Sequence, residues 1–583
     1  MSESEQARLG PMFYTGASRF LEANEHFARV LVDASSQCAI HASEDIVDAN
    51  GLKLWAAGQP IGDRLLERLS NRRLRKPIEL CVYAADPVAT AGIAATLEAE
   101  VSGSRELSLV LAESLPGVLR EVGTIAPNPT ELMLLSVMRH SGRDMLGHAA
   151  LVCAVALATA EMAGTHPDLI RILARAALLH DVGELYLEPA LFEPPGMHAP
   201  GQVREIRKHA SIGAQVAVEL ARVGAAVGHL IGMSHERLDG WGYPRGLKAS
   251  ELSKPAQALL FSEAVVSMLG SGSNGLKRAA VAVRLVPGEF PVEMVNWIVR
   301  CANARPATRQ EGVSASAIAI DLLQIQALLT RLRPLLVERL PGETTAVRSA
   351  AGQWSIAIEA LIDELRRTGI ESAISCGMSV EPQDDTEFIE LSVLSQELLY
   401  RVRELRLRIE VAQSESPELT TSALAIEVLE LLRACERVPE PGAAGAGRAV
   451  LLPWSRLYSV GVREIDEQHR VLVGLLNRLG AANDGAERTE MVSETLAALV
   501  KYVGEHFAYE ERLMKEHGYE DTASHIAAHG GLARRVGDMV KRSAEGSSVS
   551  LGDLTVFLRQ WLISHILHTD RALGAALNAK GLH

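Results

Sequence analysis

A chain of 583 residues exceeds what one hydrophobic core supports, so several domains are expected. With 48% hydrophobic and 22% charged residues it has an ordinary soluble composition, and its net charge of −14 excludes general attraction to nucleic acid or to an anionic membrane. The acidic start Met1 to Glu5 lacks a signal-peptide pattern, the longest apolar run (Ala149 to Ala160) is too short to span a bilayer, and Cys38, Cys81, Cys153, Cys301, Cys376 and Cys435 show no paired spacing; a cytoplasmic protein with reduced thiols and no membrane insertion is the expectation.

Residues 1–125 read as a small mixed α+β accessory domain in an otherwise mainly α protein. Asn50-Gly51 is a hairpin-type turn between short extended segments, Gly62 to Leu69 reads as a helix and Ile78 to Tyr83 as a strand. His26 and His41 stand alone, and no chemistry is assigned to this part.

Residues 126–341 hold a first constellation of ligand-type side chains. His148 opens an apolar helix, and Ala176 to Gly183 ends another with His180 and Asp181 side by side. Adjacent helical positions point about 100° apart, so these two serve one metal cluster only in a wedge between helices or at a helix end. His209 follows, then His235 and Glu236 ahead of a glycine- and proline-rich loop at 239–244, then Glu263 in an apolar helix. Histidines and carboxylates around metal activate water for attack on phosphorus.

These residues resemble an HD-GYP domain, a helical branch of the HD metal-dependent phosphohydrolases that hydrolyses cyclic di-GMP. The resemblance implies iron or another transition metal on His148, His180, Asp181, His209, His235 and Glu263, with His180 and Asp181 central to catalysis and cyclic di-GMP as partner. The motif departs from the family pattern in three places. Glu184 replaces the lysine of His-Asp-x-Gly-Lys, Ser234 replaces the first of paired histidines, and Glu263 replaces a late aspartate. A carboxylate in place of a phosphate-binding cation and a hydroxyl in place of an imidazole predict weak or lost hydrolysis, raised again by Glu184→Lys with Ser234→His.

Residues 342–437 read as long helices, with Phe388, Leu391, Leu398, Val402, Leu405 and Ile409 at heptad spacing and Ser395 the one polar member. This fits a coiled-coil homodimer or a helix packed on its own domain. Residues 438–448, rich in glycine, alanine and proline, read as a flexible linker, which makes residues 449–583 a separate folding unit.

That last stretch carries a second ligand set. His506 and Glu510 are four apart, as are His525 and His529, so each pair shares one helix face. His469 precedes them, and His565 and Asp570, five apart, are expected to reach the same point from a helix end. Four amphipathic helices fit the pattern, the first with Asp466 as N-cap, and an up-down bundle builds metal sites from inward side chains. No cysteine lies here, which excludes a zinc thiolate site, and no histidine has the preceding glutamate of the ferritin-like pattern.

Trp454 to Val462, Ile465 to His469, His506 to Met514, Gly518-Tyr519, His525-x-x-x-His529 and His565 to Asp570 together resemble a bacterial hemerythrin. The resemblance implies a non-haem di-iron centre that binds dioxygen: His525, His529 and His565 on one iron, His469 and His506 on the other, Glu510 and Asp570 bridging, and an open position on the two-histidine iron. His517 and His568 fall outside the motif. Two functions compete: a sensor of oxygen, nitric oxide or redox state that regulates cyclic di-GMP hydrolysis, and an oxygen-binding receptor whose HD-GYP-like part is a scaffold without hydrolytic output; a third, oxygen storage, would not need the large N-terminal part.

Overall fold

The computed structural model describes residues 17–583 except 71, 193–198, 270–273, 305–314, 368–384, 437–453, 455, 482–487, 545–557 and 560. The linker at 438–448 and the start of the fourth bundle helix lie outside the described residues. The chain divides into two compact units, Met1–Ala307 and Thr308–His583. Among the described residues it is mainly helical, with four short strands between Ile40 and Ala84.

The first unit is built around an alanine-rich helix. In chain order it contains α1 (Glu25–Ser35), β1 (Ile40–Ala42), β2 (Ile46–Val47), β3 (Lys53–Trp55), α2 (Asp63–Leu69), β4 (Val82–Ala84), α3 (Thr90–Gly103), α4 (Arg105–Leu111), α5 (Leu115–Thr124) and α6 (Pro129–Arg139). There follow α7 (Met145–Met162), α8 (Pro167–Leu179), α9 (Pro200–Gln215), α10 (Ala225–Ile231), α11 (Lys254–Leu269), α12 (Gly275–Leu285) and α13 (Val292–Asn303). Helix α7 is apolar on all sides because α8 and α11 cover it, and small residues such as Ala149, Ala150, Ala154 and Ala156 let those helices approach closely. By length and composition alone it would cross a membrane, but 72% of it is buried inside this unit.

Strands β1 and β4 pair antiparallel through Ile40 and Ala84, and β2 with β3 form the hairpin expected around Asn50-Gly51. Asp48 closes that turn by accepting from the Asn50 and Leu52 amides, and Gly51 takes the left-handed conformation at φ 88°. The strand expected over Ile78 to Tyr83 is shorter: Ile78–Leu80 is a 3-10 turn, and pairing begins at Val82.

The accessory part packs directly on the segment that follows His180 and Asp181. Tyr186 stacks on Phe27 with ring centroids 4.8 Å apart, and its hydroxyl donates to Glu79 at 3.0 Å. Burial pushes the Glu79 carboxyl up from 4.5 to about 7, and its second oxygen has no partner. Folding therefore favours the protonated acid: that stability is whole below pH 4.5, is lost as pH rises through 7, and amounts to about 3 kcal/mol. Glu79→Gln is expected to melt several degrees above the unsubstituted protein at pH 8 and level with it at pH 5, as followed by calorimetry.

The second unit begins with α14 (Ala315–Arg339), α15 (Thr345–Arg367), α16 (Asp385–Glu415), α17 (Pro417–Thr421) and α18 (Ala423–Glu436). Phe388, Leu398, Val402, Leu405 and Ile409 are all buried, because α16 turns them toward α14 and α18 of the same chain. The heptad face is thus internal and not open to a second copy, which corrects the expectation of a homodimer through it. Arg406 and Arg433 both reach Glu410 at 2.6 Å and pair its buried carboxylate.

The bundle follows as α19 (Arg463–Ala481), α20 (Arg488–Glu516), α21 (Thr522–Ala544) and a fourth helix that ends in α22 (Arg571–Asn578). It packs on the preceding helices: the buried Tyr458 hydroxyl bonds Gln324 of α14, and Arg559 faces both Tyr458 and Asp321. Helix α19 starts before Asp466, so that residue is not its N-cap. Its carboxylate instead accepts from the Val460 amide at 2.7 Å and the Ser459 hydroxyl at 2.6 Å, fixing the entering chain.

Candidate metal centres

In the bundle, each helix delivers its ligands for a local reason. His506 with Glu510 on α20 and His525 with His529 on α21 are one helical turn apart and point inward. His565 and Asp570 are brought to one face by a π-helical turn, His565–Asp570, where the five-residue spacing closes one turn. The sequence placed this pair at a helix end; the helix runs on into α22.

The side chains converge as two groups that share both carboxylates. Glu510, His525, His529, His565 and Asp570 form one, and His469, His506, Glu510 and Asp570 the other; within each group the facing atoms lie within 4.8 Å of one another. His565 Nε2 lies 2.9 Å and His525 Nε2 3.3 Å from Asp570 Oδ1, while His469 Nε2 lies 3.1 Å from Oδ2. Glu510 Oε2 lies 3.3 Å from His529 and 3.7 Å from His506. His517 and His568 belong to neither group.

Hydrogen bonding leaves this centre unsatisfied. Both oxygens of Glu510 and Asp570 and both nitrogens of His469 and His525 are buried without a hydrogen bond of acceptable geometry. Buried polar atoms are rarely left so, and cations between the two carboxylates would satisfy them together. Burial pushes His506 down to about 4, leaving its imidazole neutral as a ligand must be. Burial works the same way on His525, but Asp570 and Glu510 outweigh it and raise that imidazole to about 9. The residues fit a pair of metal ions.

Around this core stand residues the sequence reading missed. Gln468 Oε1 lies 2.8 Å from His506 Nδ1 and Glu511 Oε1 3.3 Å from His529 Nδ1, which turns each Nε2 inward. Phe507 stacks on His529 at 3.6 Å and Trp561 on His565 at 4.5 Å. Gln468 and Glu511 adjoin His469 and Glu510 in sequence, but nothing in the spacing says which ring each one holds.

The second constellation lies in the first unit. Helix α8 stops at Leu179, so His180 and Asp181 fall at its end, which resolves the angular conflict between neighbouring positions. The 3-10 turn Val182–Tyr186 then packs on α9, where a Cβ at Gly183 would lie 2.0 Å from the His209 carbonyl oxygen. Only glycine permits that approach, and it is what brings Asp181 to His209.

Here too there are two groups: His148, His180, Asp181 and Glu263, and Asp181, His209 and His235. Glu263 Oε2 lies 2.9 Å from His148 and 3.0 Å from His180, so the longer carboxylate reaches the cluster. Asp181 spans the groups, with Oδ2 3.0 Å from His180 and Oδ1 3.6 Å from His209. The Nδ1 atoms of His180 and His209 face the carbonyls of Ala177 and Ile206 at 2.8 and 2.7 Å, leaving each Nε2 for the cluster. Burial, assisted by His209, pushes His235 down to about 3, so it too is neutral.

Two of the motif departures acquire a structural meaning. Ser234 is fully buried and donates to the Ile231 carbonyl at 2.9 Å, so its hydroxyl is satisfied by the backbone and a larger side chain there would be crowded. Glu184 is not a bare negative charge, because Arg143 lies 2.8 Å away. Glu236 is structural: it accepts from the amides of Arg245 and Leu247 and closes the loop after His235.

The Hemerythrin HHE cation binding domain family matches residues 460–577. A bacteriohemerythrin of Stenotrophomonas maltophilia is 35% identical over 129 residues, covering 22% of this chain and 83% of that protein. The chain belongs to the hemerythrin family. Its hemerythrin domain carries a di-iron-binding cluster of the family type, assembled from the two groups above.

The HD domain family matches residues 134–280, and an HD-superfamily domain with its own His/Asp/Glu cluster is present there. A cyclic di-GMP phosphodiesterase of Pseudomonas aeruginosa is 29% identical over 130 residues, covering 22% of this chain and 31% of that protein. A 3'3'-cGAMP-specific phosphodiesterase of Vibrio cholerae is 38% identical over 81 residues, 14% of this chain and 17% of that protein.

Proposed function

We propose that this is a cytoplasmic signalling protein in which the hemerythrin domain responds to dioxygen, nitric oxide or redox state and regulates an HD-GYP-type phosphodiesterase acting on cyclic di-GMP. One observation carries the reading: a single chain holds two buried clusters, each split into two ligand groups joined by shared carboxylate. The likeness of the HD region to cyclic dinucleotide phosphodiesterases supports the substrate class.

In the hemerythrin domain, His525, His529 and His565 would hold one iron and His469 and His506 the other, with Glu510 and Asp570 between them. Iron there supplies reversible dioxygen binding and redox chemistry. The group with two histidines has the fewer protein donors and leaves room for a small ligand. Phe507 and Trp561 cover the histidines of the other group and keep water from them.

In the HD domain, His148, His180, Asp181 and Glu263 would hold one metal, and Asp181, His209 and His235 a second. Such metals supply Lewis acidity toward phosphoryl oxygens and lower the pKa of water. Asp181 would contribute to both metals, and His180, fully enclosed, would hold the first. His148, 27% exposed, is the most accessible member of its group. With the Ser234 hydroxyl bonded to the Ile231 carbonyl, the second metal would have three protein ligands, and turnover is expected to be slow.

The decisive assay is cyclic di-GMP hydrolysis by metal-loaded full-length protein, in air and in anaerobic reductant. Turnover that differs about fivefold or more between the two states is the expected outcome. Tight cyclic di-GMP binding with no turnover in either state favours the receptor reading, for which the three-residue second group is the supporting observation.

A further inference from the structure

The HD domain has a cation beside the turn that follows His180 and Asp181 which its motif does not record. Asp181 caps the 3-10 turn Val182–Tyr186, and the Glu184 amide donates to the Asp181 carbonyl at 2.9 Å. A 3-10 turn has three residues, so side chains three apart eclipse, and Glu184 stands on the same face as Asp181. Its side chain is 14% exposed and lies 2.8 Å from Arg143, which is 32% exposed. Arg143 immediately precedes Asp144, which caps the helix carrying His148. Its guanidinium is therefore fixed between the segments that supply His148 and Asp181.

The guanidinium is held by few groups. Its face lies 4.4 Å from the Phe192 ring, and Nη2 contacts Glu184 and, at 3.6 Å, the Met145 sulfur. Among the described residues, no acceptor meets Nε or Nη1. A guanidinium has five donors in a rigid fork, and one carboxylate oxygen occupies only a corner of it. A charge of this kind, pinned on one side and, among the described residues, with Nε and Nη1 unoccupied, matches a phosphoryl group, which accepts parallel N–H donors.

We propose that Arg143 binds a phosphate of the substrate at the edge of the HD cluster and that Glu184 is the positioning residue that holds it there. Glu184 thereby carries a cation to the site in place of supplying one itself, and Phe192 fixes the plane of the guanidinium. The assignment rests on the phosphodiesterase reading of this domain, and it deepens that reading by naming the group that takes the phosphate.

The test compares four full-length, metal-loaded proteins: the unsubstituted chain, Arg143→Gln, Arg143→Gln with Glu184→Gln, and Arg143→Gln with Glu184→Lys. Equilibrium affinity is measured for cyclic di-GMP and for bis(p-nitrophenyl) phosphate, a simple phosphodiester, and metal content is measured alongside. Arg143→Gln is expected to weaken binding of both about 10- to 100-fold with metal content unchanged. Arg143→Gln with Glu184→Gln remains weak, and Arg143→Gln with Glu184→Lys recovers most of the affinity, because a cation again stands at the edge.

Full recovery in Arg143→Gln with Glu184→Gln would overturn the proposal, since Arg143 would then only neutralise a buried carboxylate. Loss of metal in Arg143→Gln would overturn it as well, by making the arginine part of the metal scaffold. If the unsubstituted chain binds the simple phosphodiester through Arg143 but not cyclic di-GMP, the substrate class proposed above falls and the role of Arg143 stands. If it binds neither, both fall.

Discussion

Asp570→Ala is expected to abolish iron retention by the hemerythrin domain altogether, not to halve it. Asp570 belongs to both ligand groups, with Oδ1 toward His525 and His565 and Oδ2 toward His469, so its loss removes an oxygen from each. The neighbouring histidines then face one another around Glu510 alone. Metal analysis after anaerobic reconstitution checks this, with His517→Ala, outside both groups, retaining the full complement. Thermal melting gives a second readout. Iron at 1,000 times its dissociation constant stabilises by about 4 kcal/mol, a shift that the unsubstituted chain shows and Asp570→Ala lacks. Gln468→Leu, which only frees the far side of His506, is expected to cost about 10- to 100-fold in metal affinity. Iron retained by Asp570→Ala at the level of the unsubstituted chain would show that Asp570 is not shared between the metals.

The second large effect is on hydrolysis. Asp181→Asn keeps the shape of the HD cluster but removes the charge that joins its two groups, and cyclic di-GMP turnover is expected to fall about 10³-fold, equivalent to about 4 kcal/mol of barrier. Ser234→Ala serves as the contrast. Its hydroxyl bonds the Ile231 carbonyl and nothing in the cluster, so turnover is expected to stay within about twofold while stability falls by about 1 kcal/mol. A large loss of turnover in Ser234→Ala, with metal content intact, would put that serine back in the site. Steady-state hydrolysis at saturating metal separates the two outcomes.

The contacts around Asp570 and Asp181 differ in how far the sequence reveals them. Spacing alone gave the pairing of His506 with Glu510 and of His525 with His529, because an α-helix repeats its face every four residues whatever surrounds it. The helical class and the mixed N-terminal part followed from equally local rules, whereas the ligand set of the HD cluster came from resemblance. Resemblance added the division of the hemerythrin ligands into two groups, and the geometry groups the same residues.

Other features were decided only by the tertiary structure. The π-helical turn at His565–Asp570 changes which positions share a face, and a five-residue spacing does not announce it. The heptad on α16 satisfies a second chain and an intramolecular groove equally well, and α14 and α18 settled which one it fills. Glu184 and Ser234 read as defects because a motif compares residues position by position. Whether a carboxylate repels phosphate depends on what stands beside it, and Arg143, 41 positions earlier, meets Glu184 only through the packing that brings the start of α7 against the turn after α8. Local periodicity fixes faces within an element; contacts between elements far apart in the chain decide charge balance, exposure and the partner of each buried group.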